Sequence, residues 1–144
     1  MALVDLLAHY GAKAANFADL GGSAIHEQID ALLYLLEHDR NVNVIFINCY
    51  GGILNVDKVV ATLRLAIKNN DITKPLVIRL KGNKSEGILD LLPSFYEKGM
   101  HFEQDLDKAV ALAIKLAKKH KLKKDVRSKT VNIDPEMQES WQIE

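Results

Sequence analysis

Residues 44–57 read VIFINCYGGILNVD, in which a short apolar run leads into a glycine pair and then into a segment of helical period. A buried strand that ends in a glycine turn and continues into a helix is a common geometry for holding an anion, because the N–H groups at the helix start point toward it. The stretch therefore predicts a strand, a turn and a helix, with a binding site at Gly51 and Gly52 whose ligand the residues do not specify.

Length, charge and cysteine content limit the number of domains, the kinds of partner and the kinds of site that this chain can have. The chain has 144 residues, which suit one domain with its own core. Lys and Arg number 19, as do Asp and Glu, so the charge balance gives no reason to expect nucleic acid or an acidic membrane as the main partner. Cys49 is the only cysteine, which excludes an internal disulfide framework and a cysteine-based zinc site. We expect no membrane-spanning segment and no secretory leader, because no apolar run reaches about 18 residues and the first residues lack a basic flank.

Short β-rich runs alternate along the chain with longer segments of helical period. This alternation predicts an α/β fold with a mostly parallel sheet that is covered on both faces. The predicted strands are Ala15–Leu20, Val42–Asn48, Leu76–Leu80 and Met100–Glu103. The first three end at glycines, Gly21-Gly22, Gly51-Gly52 and Gly82, at the sheet edge where ligands bind in such folds.

Apolar residues at helical spacing predict five helices. The first is short, Leu3–His9, and is stopped by Gly11. The others have apolar stripes that begin at Ile25, Val56, Ile88 and Leu106. Each stripe is expected to face the core.

The last 25 residues have a different composition. Residues 115–129 contain eight Lys or Arg against the single acid Asp125, whereas residues 134–144 contain four acids and no base. One interpretation is a solvated, frayed tail. The other is a docking tail, since aromatic and apolar anchors often dominate interfaces. The anchors would be Val131, Ile133, Met137, Trp141 and Ile143.

Cys49 and the five histidines have plain interpretations. No sequence feature supplies a base that would activate Cys49, so a small buried hydrophobe is the favoured interpretation. The histidines show no metal-ligand spacing. His26 could face the ligand edge from the start of a helix, but a surface histidine is favoured. We therefore expect no catalytic residue and no metal ligand in this chain.

Three ordered segments of the chain resemble the carboxy-terminal, flavodoxin-like CoA-ligase domain of the succinate–CoA ligase (succinyl-CoA synthetase) β subunit. ANFADLGG at 15–22, INCYGGI at 47–53 and PLVIRLKGN at 75–83 are similar to that family's ANF-x-D-hydrophobic-GGG, NI-F-GGI and PVVVRLEGN patterns. The resemblance runs from Asp5 almost to Lys119. It implies a three-layer, doubly wound domain over residues 1–119, followed by a basic-then-acidic extension over residues 120–144.

The resemblance also implies a substrate end for the domain. Two turns would face the succinate or phosphoryl group, and their residues are Gly21, Gly22, Gly51, Gly52, Ile53 and Leu54. Two positions depart from the family pattern. Asn55 stands where arginine is usual, which weakens recognition of a carboxylate or phosphate, and Lys81 stands where glutamate is usual, which adds a positive charge.

The family's cofactors lie outside the matching region. In the family, an amino-terminal ATP-grasp region binds ATP or GTP and magnesium, and a separate α subunit carries CoA and the phosphorylated histidine. We therefore expect no cofactor in this chain, and we expect other protein subunits as partners, such as a succinate–CoA ligase α subunit or a larger complex. The resemblance implies the tricarboxylic acid cycle and the mitochondrial matrix, with the cytoplasm as the alternative.

Three functional interpretations remain open. In the first, the chain is a non-catalytic structural or interaction subunit, anchored by its tail through Ile133, Met137 and Trp141; the changes at Asn55 and Lys81 favour it. In the second, it is the substrate-end module of a split ADP- or GDP-forming ligase, which the retained glycine turns favour. In the third, ranked lower, it is a domain cut from a complete β subunit.

Overall fold

The computed structural model describes residues 2–20, 26–50, 56–81 and 99–131. These residues form four helices and three strands. The helices are α1 (Ala2–His9), α2 (His26–His38), α3 (Val56–Asn69) and α4 (Leu106–Val131), and the strands are β1 (Ile45–Tyr50), β2 (Leu76–Lys81) and β3 (Met100–Phe102).

The described strands form one parallel sheet in the order β1-β2-β3. Ile45 lies opposite Leu76, and Leu76 lies opposite Met100. Parallel neighbours require a crossover connection, and α3 supplies the one between β1 and β2. The central strand β2 is covered by α2 and α3 on one face and by α4 on the other, which explains its almost continuous apolar sequence. The predicted parallel α/β fold is confirmed.

Helices pack on both faces of the sheet. On one face, alternate residues of β2 form a core with α2 and α3 that includes Leu33, Ala66, Leu76, Ile78 and Met100. On the opposite face, Val77 packs against Ala109 and Ala113 of α4. The two alanines are almost fully buried, and their small side chains allow α4 to lie close to the sheet. The result is a three-layer arrangement, as expected.

Gly11 ends α1 through its backbone conformation. Its φ is +74°, in the left-handed region that suits glycine. The N–H of Ala12 donates to the carbonyl of Leu7 (2.9 Å), and the N–H of Gly11 donates to that of Ala8 (3.0 Å). This is the Schellman pattern of helix termination, so the predicted stop at Gly11 is confirmed.

The strand predicted at Ala15–Leu20 is wrong. The segment has no regular secondary structure, and Phe17 and Leu20 are exposed on it. Four of its six residues are alanine, asparagine or aspartate, which are depleted in strands. Its two large apolar residues alone do not supply the packing that stabilises an extended segment.

Helix α4 crosses the predicted domain boundary without a break. It runs from Leu106 to Val131, so residue 119, where we placed the end of the domain, lies inside a continuous helix. The first part of the extension is thus helical, while its role as a docking tail stays a prediction. The helix predicted from Ile88 lies outside the described residues.

A buried lysine joins two corners of the fold. Lys74, just before β2, is only 7% exposed. Its ammonium Nζ donates to the carbonyls of Leu36 (2.7 Å) and Asp39 (2.6 Å), at and just after the end of α2. The Glu37 carboxylate accepts from the backbone N–H of Lys74 (3.3 Å). Burial lowers the pKa of Lys74, and Glu37 opposes that effect. The lysine therefore ties the end of α2 to the start of β2.

Stability is expected to fall in acid because of two histidines. Burial lowers the pKa of His101, and burial together with the charges of Lys124 and Lys74 lowers that of His120. Their unfolded pKa is about 6.5, so the unfolded chain takes up protons first as the pH falls below that value, and folding stability is lost through the folded pKa values. Urea denaturation between pH 7.5 and 5.5 should show a smaller loss of stability for His120→Gln than for the unmodified chain.

His9→Gln is the matched control for this experiment, because His9 is exposed at the end of α1. The control should lose as much stability in acid as the unmodified chain. Equal losses for His120→Gln and the unmodified chain would contradict the assignment of His120.

Candidate functional site

The carboxyl ends of β1 and β2 lie side by side at one edge of the sheet. Asn48 is opposite Arg79, and Tyr50 is opposite Lys81. Since side chains alternate along a strand and Val77 faces α4, these four residues lie on the α4 face of the sheet. Helix α3 starts at Val56, and residues 51–55 connect it to β1 in the sequence. This is the edge at which open parallel sheets bind ligands.

Arg79 is the centre of the polar contacts at this edge. Its Nη1 donates to Asn48 Oδ1 (3.0 Å), and its Nε donates to the carbonyl of Gln104 (2.9 Å). Its Cζ atom lies 6.0 Å from the centroid of the Tyr50 ring, a distance at which a cation interacts with an aromatic face. One half-buried guanidinium therefore connects β1, β2 and the loop between β3 and α4.

The same edge carries positive charge. Arg79 carries a guanidinium on β2, and Lys81 is exposed at the end of the same strand. A cationic edge attracts anionic ligands. At the same time, two of the guanidinium's five N–H donors are directed at protein oxygens. Arg79 thus has two effects at this edge. It brings positive charge there, and it acts as a brace that links Asn48 of β1 to the Gln104 carbonyl through two hydrogen bonds.

Cys49 lies in an environment that disfavours its thiolate form. The residue is half-buried and packs against the core shared with α2 and α3. Burial raises the pKa of its thiol, which keeps the sulfur protonated, and the thiolate is the reactive form. These observations support the interpretation of Cys49 as a small hydrophobe.

His26 is less exposed than expected. It is the first residue of α2 and is half-buried. Its Nδ1 atom is buried, with no hydrogen-bond partner within the part of the chain that the structure describes. The expectation of a surface histidine is therefore wrong in degree, because the helix start places one edge of the ring against the protein.

Most residues predicted for the site and for partner binding lie outside the described residues. Their roles stay predictions. They are Gly21, Gly22, Gly51, Gly52, Ile53, Leu54, Asn55, Ile133, Met137 and Trp141. Lys81 is the one altered position that the structure describes, and it lies at the expected edge. The chemistry of the glycine turns thus rests on sequence.

No role was predicted from the sequence for Asn48, Tyr50 or Arg79. A signal was present for two of them, because Arg79 interrupts the apolar run of β2 and Asn48 interrupts that of β1. Recognising the pair required the register that places one opposite the other. The contact with Gln104 carries no signal of this kind.

Among the described residues, no group of three or more His, Cys, Asp or Glu side chains could hold a metal ion. None of the helices in the described ranges is long and apolar enough to span a bilayer.

Arg79→Met is expected to lower the free energy of unfolding by about 0.5–1.5 kcal/mol, because the Asn48 side chain and the Gln104 carbonyl each lose a charged donor. Urea denaturation measures the effect. Lys81→Met is the matched control, since Lys81 is exposed and surface substitutions usually change stability by less than about 0.5 kcal/mol. Equal stability of Arg79→Met and the unmodified chain would show that the brace is unimportant.

The fold is an α/β domain with a parallel sheet whose carboxyl edge carries polar side chains. The CoA-ligase family matches residues 1–118, and the chain belongs to this family. It is 38% identical over 121 residues to the β subunit of the ADP-forming succinate–CoA ligase of Campylobacter curvus, covering 84% of this chain and 31% of that protein. The corresponding subunit of Gemmatimonas aurantiaca is 40% identical over 119 residues, covering 83% and 30%.

An archaeal relative shows the same pattern of coverage. The corresponding β subunit of Staphylothermus marinus is 39% identical over 119 residues, which is 82% of this chain and 30% of that protein. The chain thus spans about three tenths of the length of these relatives. The similarity to succinate–CoA ligase β subunits is therefore a similarity to one domain of them.

Proposed function

We propose that this chain is a non-catalytic structural or interaction subunit of a larger assembly, built on a CoA-ligase domain of the succinate–CoA ligase β type. One observation carries the proposal. Helix α4 continues beyond the part that packs on the sheet, and there Leu122 is 65% exposed and Val126 is 63% exposed. Exposed apolar side chains on an extended, regular element are a common feature of protein interaction sites.

The length of α4 supports this role. Its 26 residues rise about 39 Å, whereas a six-residue strand spans about 20 Å. The buried residues Ala109, Val110 and Ala113 all lie in its first half. Lys124 Nζ donates to the carbonyl of Arg40 (2.9 Å), which holds the second half against the corner after α2. The second half of α4 is thus held against the rest of the domain, while its outer face is exposed at Leu122 and Val126.

The polar groups at the ligand edge also support a non-catalytic role. Arg79 is directed at Asn48 and at the Gln104 carbonyl, and the thiol of Cys49 is kept protonated by burial. The sequence differences at Asn55 and Lys81 remove a fixed guanidinium and reverse a charge relative to the family pattern. Each of these features weakens the case for turnover at this edge.

The proposed docking element consists of α4 beyond residue 119 together with residues 132–144. Its anchors are Ile133, Met137 and Trp141, and its partner is another protein subunit. A tagged chain expressed in its native source, followed by affinity capture and mass spectrometry, tests the proposal. We expect stoichiometric capture of subunits of one assembly and no succinate-, ATP- and CoA-dependent turnover by the pure chain. Turnover by the pure chain would overturn the proposal.

The alternative is the substrate-end module of a split ADP- or GDP-forming succinate–CoA ligase. The cationic edge formed by Arg79 and Lys81 favours it, because succinate and phosphate are anions. This module would act only with an α-type subunit that carries CoA and with an ATP-grasp protein that binds nucleotide and magnesium. Capture of both proteins, with ligase activity in the captured complex, would establish the alternative.

A further inference from the structure

The outer face of α4 combines apolar and basic side chains. Leu122 and Val126 are one helical turn apart and are both exposed. By helical geometry they lie on the side opposite the residues that pack inward, such as Ala113 and Lys124. Four exposed lysines surround them on the helix: Lys115, Lys118, Lys119 and Lys123.

The segment that follows α4 has the complementary composition. Residues 134–144 contain four acids and no base, and they include Met137 and Trp141 four positions apart. A spacing of four places two side chains on one face if the segment is helical. In sequence, the segment therefore combines an apolar pair with nearby acids, and this composition is complementary to the apolar pair and the lysines of α4.

The connection between the two is short enough for them to meet. Leu122 lies nine residues before the end of α4, which is about 14 Å along the helix. The residues from 132 to 141 can span about 30 Å when extended. Asp134-Pro135 favours a change of chain direction at that point. Tethering by so short a connection raises the effective concentration to the millimolar range, which favours contact within one chain over contact between two.

We propose that residues 133–144 fold back onto α4 of the same chain, so that Met137 and Trp141 cover Leu122 and Val126 while the acids face the surrounding lysines. The contact goes beyond the proposed function, because it concerns the free protein. A partner that captures the tail must first displace it from α4. The apparent affinity for that partner is therefore lowered in proportion to the fraction of chains in which the tail is docked on α4.

Trp141 reports on this contact directly, since it is the only tryptophan in the chain. In the full chain its fluorescence is expected at shorter wavelength, and with less quenching by acrylamide, than in a synthetic peptide of residues 132–144. Leu122→Asp combined with Val126→Asp should shift the emission to that of the peptide. Leu65→Asp is the matched control, because Leu65 is an exposed leucine on α3, and it should leave the emission unchanged.

A charge-reversal variant separates loss of docking from loss of the helix. Lys118→Glu combined with Lys119→Glu keeps good helix formers at exposed positions and should also move the emission toward that of the peptide, with unchanged far-ultraviolet circular dichroism. Emission of the unmodified chain equal to that of the peptide, or unaffected by both double variants, would overturn the proposal.

Cross-linking distinguishes contact within one chain from contact between two. In a Cys49→Ser background, Val126→Cys with Met137→Cys should oxidise in dilute solution to a disulfide within the monomer. Formation of a covalent dimer instead would overturn the proposal in favour of a second copy as the occupant. These measurements use the pure protein, so their outcome is independent of the partner capture that tests the proposed function.

Discussion

Replacing Lys74 by methionine is expected to lower the free energy of unfolding by about 2–4 kcal/mol, since each buried polar group left without its partner costs about 1–3 kcal/mol. The ammonium of Lys74 donates to the carbonyls of Leu36 and Asp39. Methionine retains much of the side-chain volume and none of the donors. Both carbonyls would then lose a charged donor in a place where Lys74 itself is only 7% exposed.

The cost is large because Lys74 acts on two elements at once. The carbonyls at the end of a helix have no partners within it, and a cation there also interacts favourably with the helix dipole. Glu37 adds a second link, since its carboxylate accepts from the Thr73 hydroxyl and from the Lys74 backbone. Removal of the ammonium leaves this half-buried carboxylate without its nearby cation.

Urea denaturation monitored by circular dichroism measures the effect of Lys74→Met. Lys68→Met is the matched control, because Lys68 is an exposed lysine near the end of α3, and it should change stability by less than about 0.5 kcal/mol. Two variants of equal stability would show that water replaces the ammonium at the two carbonyls without cost.

Removing residues 130–144 is expected to weaken capture of the partner assembly by more than tenfold while leaving the melting temperature nearly unchanged. An aromatic anchor at the centre of an interface contributes about 2 kcal/mol or more, and each 1.4 kcal/mol is about tenfold in affinity. The deletion takes only the last two residues of α4. The buried residues of this helix, at positions 109, 110 and 113, remain.

Quantitative capture from native extracts and differential scanning calorimetry measure the two sides of this prediction. Trp141→Ala should reproduce most of the loss of capture. Trp141→Phe should capture more of the partner assembly than Trp141→Ala does, because phenylalanine keeps an aromatic surface. An unchanged set of captured proteins together with a lowered melting temperature would mean that the segment serves folding and not assembly.

Much of the fold could be predicted from the sequence because its signals are local. Apolar runs bounded by glycine or proline predicted β1 and β2, and the periodicity beginning at Leu106 predicted α4. Gly11 was correctly predicted to end α1, since a left-handed residue is a local requirement of the helix end. The alternation of these elements was enough to predict a parallel sheet covered on both faces.

The failure at Ala15–Leu20 has a physical reason. A strand is stabilised by its neighbours, through ladder hydrogen bonds and cross-strand packing, and an isolated pattern does not show whether they are present. The length of α4 also depends on its neighbours. Good helix formers and the contact of Lys124 with the Arg40 carbonyl continue the helix to Val131, within the predicted extension.

The candidate site divides in the same way. Its location beside Gly51 and Gly52 follows from the strand, turn and helix pattern, and the roles of those glycines still rest on that pattern. The brace formed by Arg79 could not be predicted, because it depends on the register that sets Asn48 opposite Arg79 and on the loop that brings the Gln104 carbonyl to the guanidinium.

Family and sheet type could thus be predicted from the order of residues, since each depends on short-range spacing, and the same spacing predicted a binding site at the carboxyl edge of the sheet. The tertiary structure alone decided which polar groups contact the rest of the protein and which apolar side chains of the described elements are exposed. Lys74 and Leu122 illustrate the difference, since both belong to lysine-containing polar stretches. Lys74 is buried against the end of α2. Leu122 is exposed because α4 extends beyond the sheet on which its first half packs.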